Sequence, residues 1–132
     1  MAQEGLVTIA SRHSAAGTLE RLLAALAARS LTVFARIDHA AGAAAAGLSL
    51  RPTELVIFGN AKGGTALMQD RQASGIDLPL KALVFEDAGG KVFVAYNDPH
   101  WIAQRHGLGA ASAGAVDALA KVLSAIAAEA TG

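Results

Sequence analysis

The residues able to do chemistry sit in a few short stretches. Gly59-Asn60-Ala61-Lys62-Gly63-Gly64-Thr65 follows an apolar run. Backbone amides in a Gly-rich turn can form an anion-binding nest, and a helix start behind it adds positive potential. Asn60, Lys62 and Thr65 would add an amide, a charge and a hydroxyl. The nucleotide-binding spacing G-x-x-x-x-G-K-[ST] is absent. The plainer reading is a tight turn with Thr65 as the N-cap of a short helix. Arg36, Asp38 and His39 form a second stretch. An Asp can orient an imidazole that titrates near neutral pH. Adjacent strand residues point to opposite faces, so the plainer reading is Asp38 as a helix cap with His39 in the first turn. Lys81 and Tyr96 form a third candidate pair. If the hairpin around Asp87–Gly90 is tight, residue numbers across it sum to about 177 and Lys81 lies opposite Tyr96. Facing a cleft, they offer a cation and a phenol to an anionic ligand. Facing solvent, they are an ordinary cross-strand pair.

Other chemistries have little support. His100 and His106 are six apart on a short helical segment, which places them on roughly opposite faces. His13 and His39 are isolated, so no metal site is expected. There is no Cys, which removes disulfides, thiolate zinc and a thiol nucleophile. No G-x-S-x-G is present, and Ser11, Ser14, Ser49 and Ser74 read as turn or cap residues. Trp101 reads as a packing anchor. No cofactor is implied.

The elements that must position these residues fit one domain over 1–132. Of the 53% hydrophobic residues, 32 positions are Ala, so large apolar side chains are fewer than the percentage implies. Eleven Lys+Arg balance eleven Asp+Glu. That balance gives no footprint for nucleic acid or an anionic membrane. No secretory signal is apparent and no window is read as a bilayer span, because Asp117, Lys121 and Glu129 interrupt the alanine-rich end. The expectation is a cytoplasmic protein.

Periodicity supplies the element order. Leu6–Ala10 is β-prone. Ser14 can cap a helix bearing Leu19, Leu22, Leu23 and Leu26, though Gly17 leaves it without a capping-box Glu. Leu31 to Ile37 alternates, with Leu31, Val33, Ala35 and Ile37 on one face. His39 to Gly47 is a short helix behind Asp38. Thr53 to Phe58 is apolar enough for burial on both faces. A helical turn or two is expected around Ala66–Arg71. Leu80–Glu86 and Val92–Tyr96 form a hairpin, with Lys81, Leu83 and Phe85 on one side. Asp98 and Pro99 start a helix that stops at Gly107. A last helix begins near Ser112, with Val116, Leu119, Leu123 and Ile126 in a stripe. The predicted fold class is α+β, a mostly antiparallel sheet of four to five strands with helices packed on one face.

Four ordered motifs carry a family resemblance: FARIDHAAGA (Phe34–Ala43), LRPTELVIFGNAKGGTALM (Leu50–Met68), IDLPLK (Ile76–Lys81) and YNDP (Tyr96–Pro99). Together they resemble the bacterial family called domain of unknown function 302, from Ile9 to Leu108. The resemblance implies a small α+β domain of the TATA-binding-protein-like fold group that forms homodimers. It implies no DNA binding, since function belongs to sites rather than folds. The chain departs from the family pattern at Ala61, where Pro is usual after Gly-Asn, and at Gly17. The first departure loosens the loop after Asn60.

The functional expectation is a homodimer that binds a small anionic ligand near Gly59–Thr65. Arg36, His39, Asn60, Lys62, Thr65 and Lys81 are the candidate ligand-binding residues. The alternatives are an enzyme using His39 or Lys81 as a base, and a non-catalytic dimeric interaction module.

Overall fold

The computed structural model describes residues 3–132. Five strands form one antiparallel sheet in the order β1-β5-β4-β3-β2, with β1 Leu6–Ala10, β2 Thr32–Asp38, β3 Thr53–Gly59, β4 Leu80–Glu86 and β5 Val92–Asn97. The helices are α1 Ala15–Ala28, α2 His39–Ala45, α3 Ala61–Asp70, α4 Pro99–His106 and α5 Ala110–Thr131, with a 3-10 turn over Gln72–Asp77 before β4. The architecture is the expected α+β sheet.

Strand periodicity decides which side of the sheet meets the helices. Ala82 and Val84 are buried on β4, whereas Lys81, Leu83 and Phe85 point the other way. Val56 and Phe58 on β3, and Val92, Val94 and Tyr96 on β5, join the buried side. Against them pack Leu22 and Leu26 of α1 and Leu123, Ile126, Ala127 and Ala130 of α5. Each fully buried Leu or Ile contributes about 1.5–3 kcal/mol of hydrophobic stabilisation. The many alanines let α1 and α5 lie close to each other and to the sheet. At their exposed ends, Arg29 grips both Glu129 oxygens at 2.6 and 3.1 Å.

Local signals behaved largely as their chemistry requires. Ser14 accepts from the Gly17 amide at 3.0 Å, Asp38 from Ala41 at 2.9 Å and Asp98 from His100 at 2.9 Å. Gly107 closes α4 at φ 64°. Asp87 Oδ1 accepts from the amides of Gly89 and Lys91 and organises the hairpin turn.

Four expectations need correction. The hairpin pairs Ala82 with Tyr96, so its residue numbers sum to 178. That one-residue slip puts Lys81 and Tyr96 on opposite faces, with Tyr96 in the core. The alternation of β2 breaks at Phe34, where a bulge lets Val33 pair with Phe58 and Ala35 with Ile57. Val33 therefore lies on the helix side, away from Ala35 and Ile37. The Gly-rich run does not end in a Thr65 cap: Asn60 caps α3, its Oδ1 accepting from the Gly63 amide at 2.9 Å. Finally, the 22-residue α5 is long and apolar enough to cross a membrane by length and composition alone. Its scattered charges hid this, because alanine counts as apolar; in this fold the helix spends its Val116, Leu123 and Ile126 stripe on the core.

Candidate functional site

The six candidate residues split between two ends of the sheet. Arg36 and His39 lie at the end of β2, where Asp38 pairs with Glu54. Asn60, Lys62 and Thr65 follow the far end of β3, where Gly59 pairs with Thr32. The six-residue length of β3 between Glu54 and Gly59 separates them by about 17 Å at strand rise. Arg36 is bound to Glu54, Nε to Oε2 at 2.7 Å. His39 stands exposed in the first turn of α2. Lys81 points to the face of the sheet away from α1 and α5. Its ammonium donates to the carbonyls of Pro79 at 3.0 Å and Asp77 at 3.5 Å. His39 and Lys62 thus do not converge, and Lys81 is held by backbone oxygen.

Asn60, Lys62 and Thr65 do come together, around the start of α3. The first amides of a helix lack carbonyl partners within it. The Asn60 side chain takes up Gly63, leaving the amides of Ala61 and Lys62 at the positive end of the helix dipole. Gly63 permits the close packing that fixes this end. A Cβ there would lie 3.1 Å from Leu119 Cδ2 of α5. Gly59, at φ 153°, makes the turn out of β3.

Beside this helix start lies a groove of about 210 Å³, lined by Phe34, Asn60, Gly64, Thr65, Met68 and Pro79 among others. A smaller void of about 60 Å³, shared with Phe58, Leu119 and Val122, adjoins it through Asn60, Gly64, Leu78 and Pro79. The walls are mostly apolar, and polar groups are confined to Asn60, Thr65 and the helix amides. Lys62 is exposed on the same turn. This arrangement offers apolar walls to the body of a small molecule and the amides of a helix start to a negatively charged or hydrogen-bond-accepting head. Phe34, the residue at the β2 register shift, lines the groove.

A larger concavity of about 300 Å³ lies at the opposite end, lined by Ala15, Leu19, Asp38, Glu54 and Val84 among others. Asp38 and Glu54 are spent there on the α2 cap and on Arg36.

Three polar clusters were invisible in the sequence because their members are far apart along the chain. Asp77 receives Arg105 Nη1 on both oxygens at 3.0 Å and faces His106 Nε2 at 2.6 Å. Both the Asp77 and His106 side chains are largely buried. Asp70, at the end of α3, accepts from the Gly109 amide at 2.9 Å and from Ser112 Oγ at 2.8 Å, capping α5 from another helix. Those bonds, the Gly109 amide first, hold its carboxyl below the usual aspartate range. His100 Nε2 lies 2.8 Å from Asp117, which raises its pKa above the ordinary histidine value. His100 and His106 therefore serve different carboxylates. Among the described residues, no group of three or more His, Asp or Glu is placed to hold a metal ion.

Known proteins extend this description. The sequence model of a family described as "Domain of unknown function DUF302" matches residues 7–126. A protein of Brucella suis biovar 1 (strain 1330) named "Fluoride-specific ion channel FluC 1" is 55% identical over 115 residues, which are 87% of this chain and 45% of that protein. Its counterpart of the same name in Brucella abortus biovar 1 (strain 9-941) is also 55% identical over 115 residues, with 43% of its length covered. The chain thus spans less than half the length of these relatives. Among solved structures, the "uncharacterized conserved protein DUF302 from Bacillus stearothermophilus" superposes with a TM-score of 0.85 at 17% identity. The match covers 97% of this chain and 99% of that one, a likeness of fold alone.

Proposed function

The chain belongs to the family described as domain of unknown function DUF302, and from that premise we propose that it is a ligand-binding module. Its site is the groove at the start of α3. Its ligand is a small molecule with an anionic head and an apolar body. The observation that carries this reading is the meeting of two features: the exposed start of α3 at Asn60 and Ala61, and an apolar groove of about 210 Å³ walled by Phe34, Met68, Leu78 and Pro79. That volume is below the usual range of drug-sized sites, so the ligand is small. Of the six candidates, Asn60 and Thr65 line this groove, Lys62 stands exposed on the same helix turn outside its lining, and Arg36, His39 and Lys81 lie elsewhere. The reading also has the domain working as a homodimer in the cytoplasm.

The relatives named as fluoride-specific ion channels fit an accessory role for this part of the molecule. Membrane passage needs spanning elements with satisfied backbones. Among the described residues the one helix of sufficient length and apolarity is α5, which gives Val116, Leu123 and Ile126 to the domain core. A domain of this kind would serve as a soluble attachment that senses a ligand for the remainder of a longer chain.

Titration of inorganic phosphate and of butyrate, followed by amide NMR, tests the site. The Ala61–Thr65 amides should shift with both, and the Met68 methyl with butyrate. Lys62→Ala should weaken both by several-fold. Unmoved Ala61–Thr65 amides at millimolar concentrations of each would remove the site and leave only a capped helix.

A further inference from the structure

The concavity at the Asp38 end of the sheet is larger than the α3 groove and is built from different side chains. One cross-strand row runs along it. Asp38 of β2 pairs with Glu54 of β3, and Glu54 with Val84 of β4. Ala16 and Leu19 of α1 and Pro52 add further wall, and the space amounts to about 300 Å³. The row thus leads from two carboxylates to an apolar side chain. The volume stands at the lower bound of small-molecule sites.

The charged end is only partly satisfied from within the chain. Asp38 uses Oδ1 for the Ala41 amide at 2.9 Å, and Glu54 uses Oε2 for Arg36 Nε at 2.7 Å. Among the described residues, the second oxygen of each carboxylate has no partner. The Glu54 side chain is only 15% exposed, so water does little to replace one. Like charges directly opposite on paired strands repel, and Arg36 supplies one positive charge against two negative. Arg36 also has capacity left. It stands two residues from Asp38 on the same face, opposite the buried Val56. Its Nε holds Glu54, and its two terminal nitrogens have no partner among the described residues.

We propose that this cavity binds a free α-amino acid with an aliphatic side chain. The ammonium lies between Asp38 Oδ2 and Glu54 Oε1 and relieves their repulsion. The carboxylate takes the terminal nitrogens of Arg36, whose planar fork suits it. The aliphatic side chain lies over Val84 toward Leu19, where loss of apolar surface to water favours it. An amine alone leaves the Arg36 fork unused, and a carboxylate alone meets Asp38 and Glu54 at close range. A ligand with both charges answers all three groups. The cavity lies at the other end of β3 from the α3 groove, so this assignment stands apart from the ligand reading given for that groove.

Free leucine, isoamylamine and isocaproate, titrated into the full chain and followed by amide and methyl NMR, test the assignment. The three share one aliphatic body; isoamylamine lacks the carboxylate and isocaproate lacks the ammonium. Leucine should shift the Ala16, Leu19 and Val84 signals at millimolar concentration. Each of the other two should bind there at least about 10-fold more weakly. Asp38→Asn removes the charge and keeps the helix cap, because Asn caps as well as Asp. It should weaken leucine by about 10-fold. Arg36→Lys keeps a cation for Glu54 and loses the fork, so it should weaken leucine several-fold and leave isoamylamine unchanged. Unmoved Ala16, Leu19 and Val84 signals with leucine would overturn the site. Equal affinity for isoamylamine or isocaproate would overturn the amino-acid assignment. Should a variant fail to fold, the three-ligand comparison on the wild type still decides. Isocaproate should move the Ala61–Thr65 amides and leave the cavity signals in place; unmoved Ala61–Thr65 amides count against the groove alone.

Discussion

Replacing Gly5 by Ala should be among the most damaging single-methylene changes outside the core. Gly5 sits at φ 78°, just before β1. A Cβ there would fall 2.3 Å from Trp101 Cγ, 2.4 Å from Cδ2 and 2.7 Å from Cδ1. Non-bonded carbons prefer about 3.5–4.0 Å, so the indole must retreat by more than about 1 Å. The left-handed backbone costs a residue with a Cβ about 1–2 kcal/mol. Displacing a packed ring adds about 2 kcal/mol, within the range for overpacking. The ring cannot move freely. Arg105 lies over it at 5.8 Å and is itself held by Asp77. The Gly5 carbonyl accepts from the Asp98 amide at 2.8 Å, fixing the backbone against the start of α4. The expected loss is about 3 kcal/mol, or about 10 °C in Tm for a chain of this size. Gly90→Ala is the matched control, with φ 80° and no heavy atom within 4 Å of the new methyl. It should lose only about 1 kcal/mol. Thermal and urea unfolding by circular dichroism measure both. Equal losses in the two variants would refute the steric half of the reasoning.

Three further predictions concern charge. Burial, and secondarily the Asp98 carboxylate, raise the Tyr96 pKa above its ordinary value. The native state favours the neutral phenol, so stability should hold below about pH 10 and fall as pH rises through the raised value. Tyr96 is the single tyrosine, so phenolate absorbance reads it directly, and a folded-state midpoint at or below 10 contradicts the burial. His100 is raised chiefly by its hydrogen bond to Asp117. Its small surface contribution should be complete below about pH 6.5 and vanish as pH climbs through the raised value. Asp117→Asn should return the His100 NMR titration toward 6.5, and an unchanged midpoint would discount the pair. Asp70, held low by Gly109 and Ser112, should stabilise the fold above the ordinary aspartate range and lose that effect as pH falls through its depressed pKa. Urea unfolding of Asp70→Ala should show a deficit at pH 7 that closes in acid; a deficit persisting there would point to packing instead of the carboxylate.

What the sequence determined by itself were the features that depend on neighbours along the chain. Strand alternation in Leu80–Glu86 sorted Ala82 and Val84 from Leu83 and Phe85. Ser14, Asp38 and Asp98 announced helix starts because a cap bonds an amide two or three residues on. The α+β class and the family resemblance followed from such local signals in order. Tertiary structure decided whatever depends on one residue of register or on distant partners. A turn one residue different from expectation moved Tyr96 from beside Lys81 into the core. The bulge at Phe34, whose ring lines the groove, divided Val33 from Ile37. Asn60 displaced Thr65 as cap, and the Gly63 whose amide it holds sits against Leu119 of α5. Asp70 found Ser112, 42 residues away, and Asp77 found His106, 29 away. The two-ended split of Arg36 and His39 from Asn60 and Lys62 arises because β2 and β3 run antiparallel, so residues that follow each strand emerge at opposite ends of the sheet. Side-chain chemistry can be read residue by residue, but convergence on a site is a property of the sheet that carries the residues.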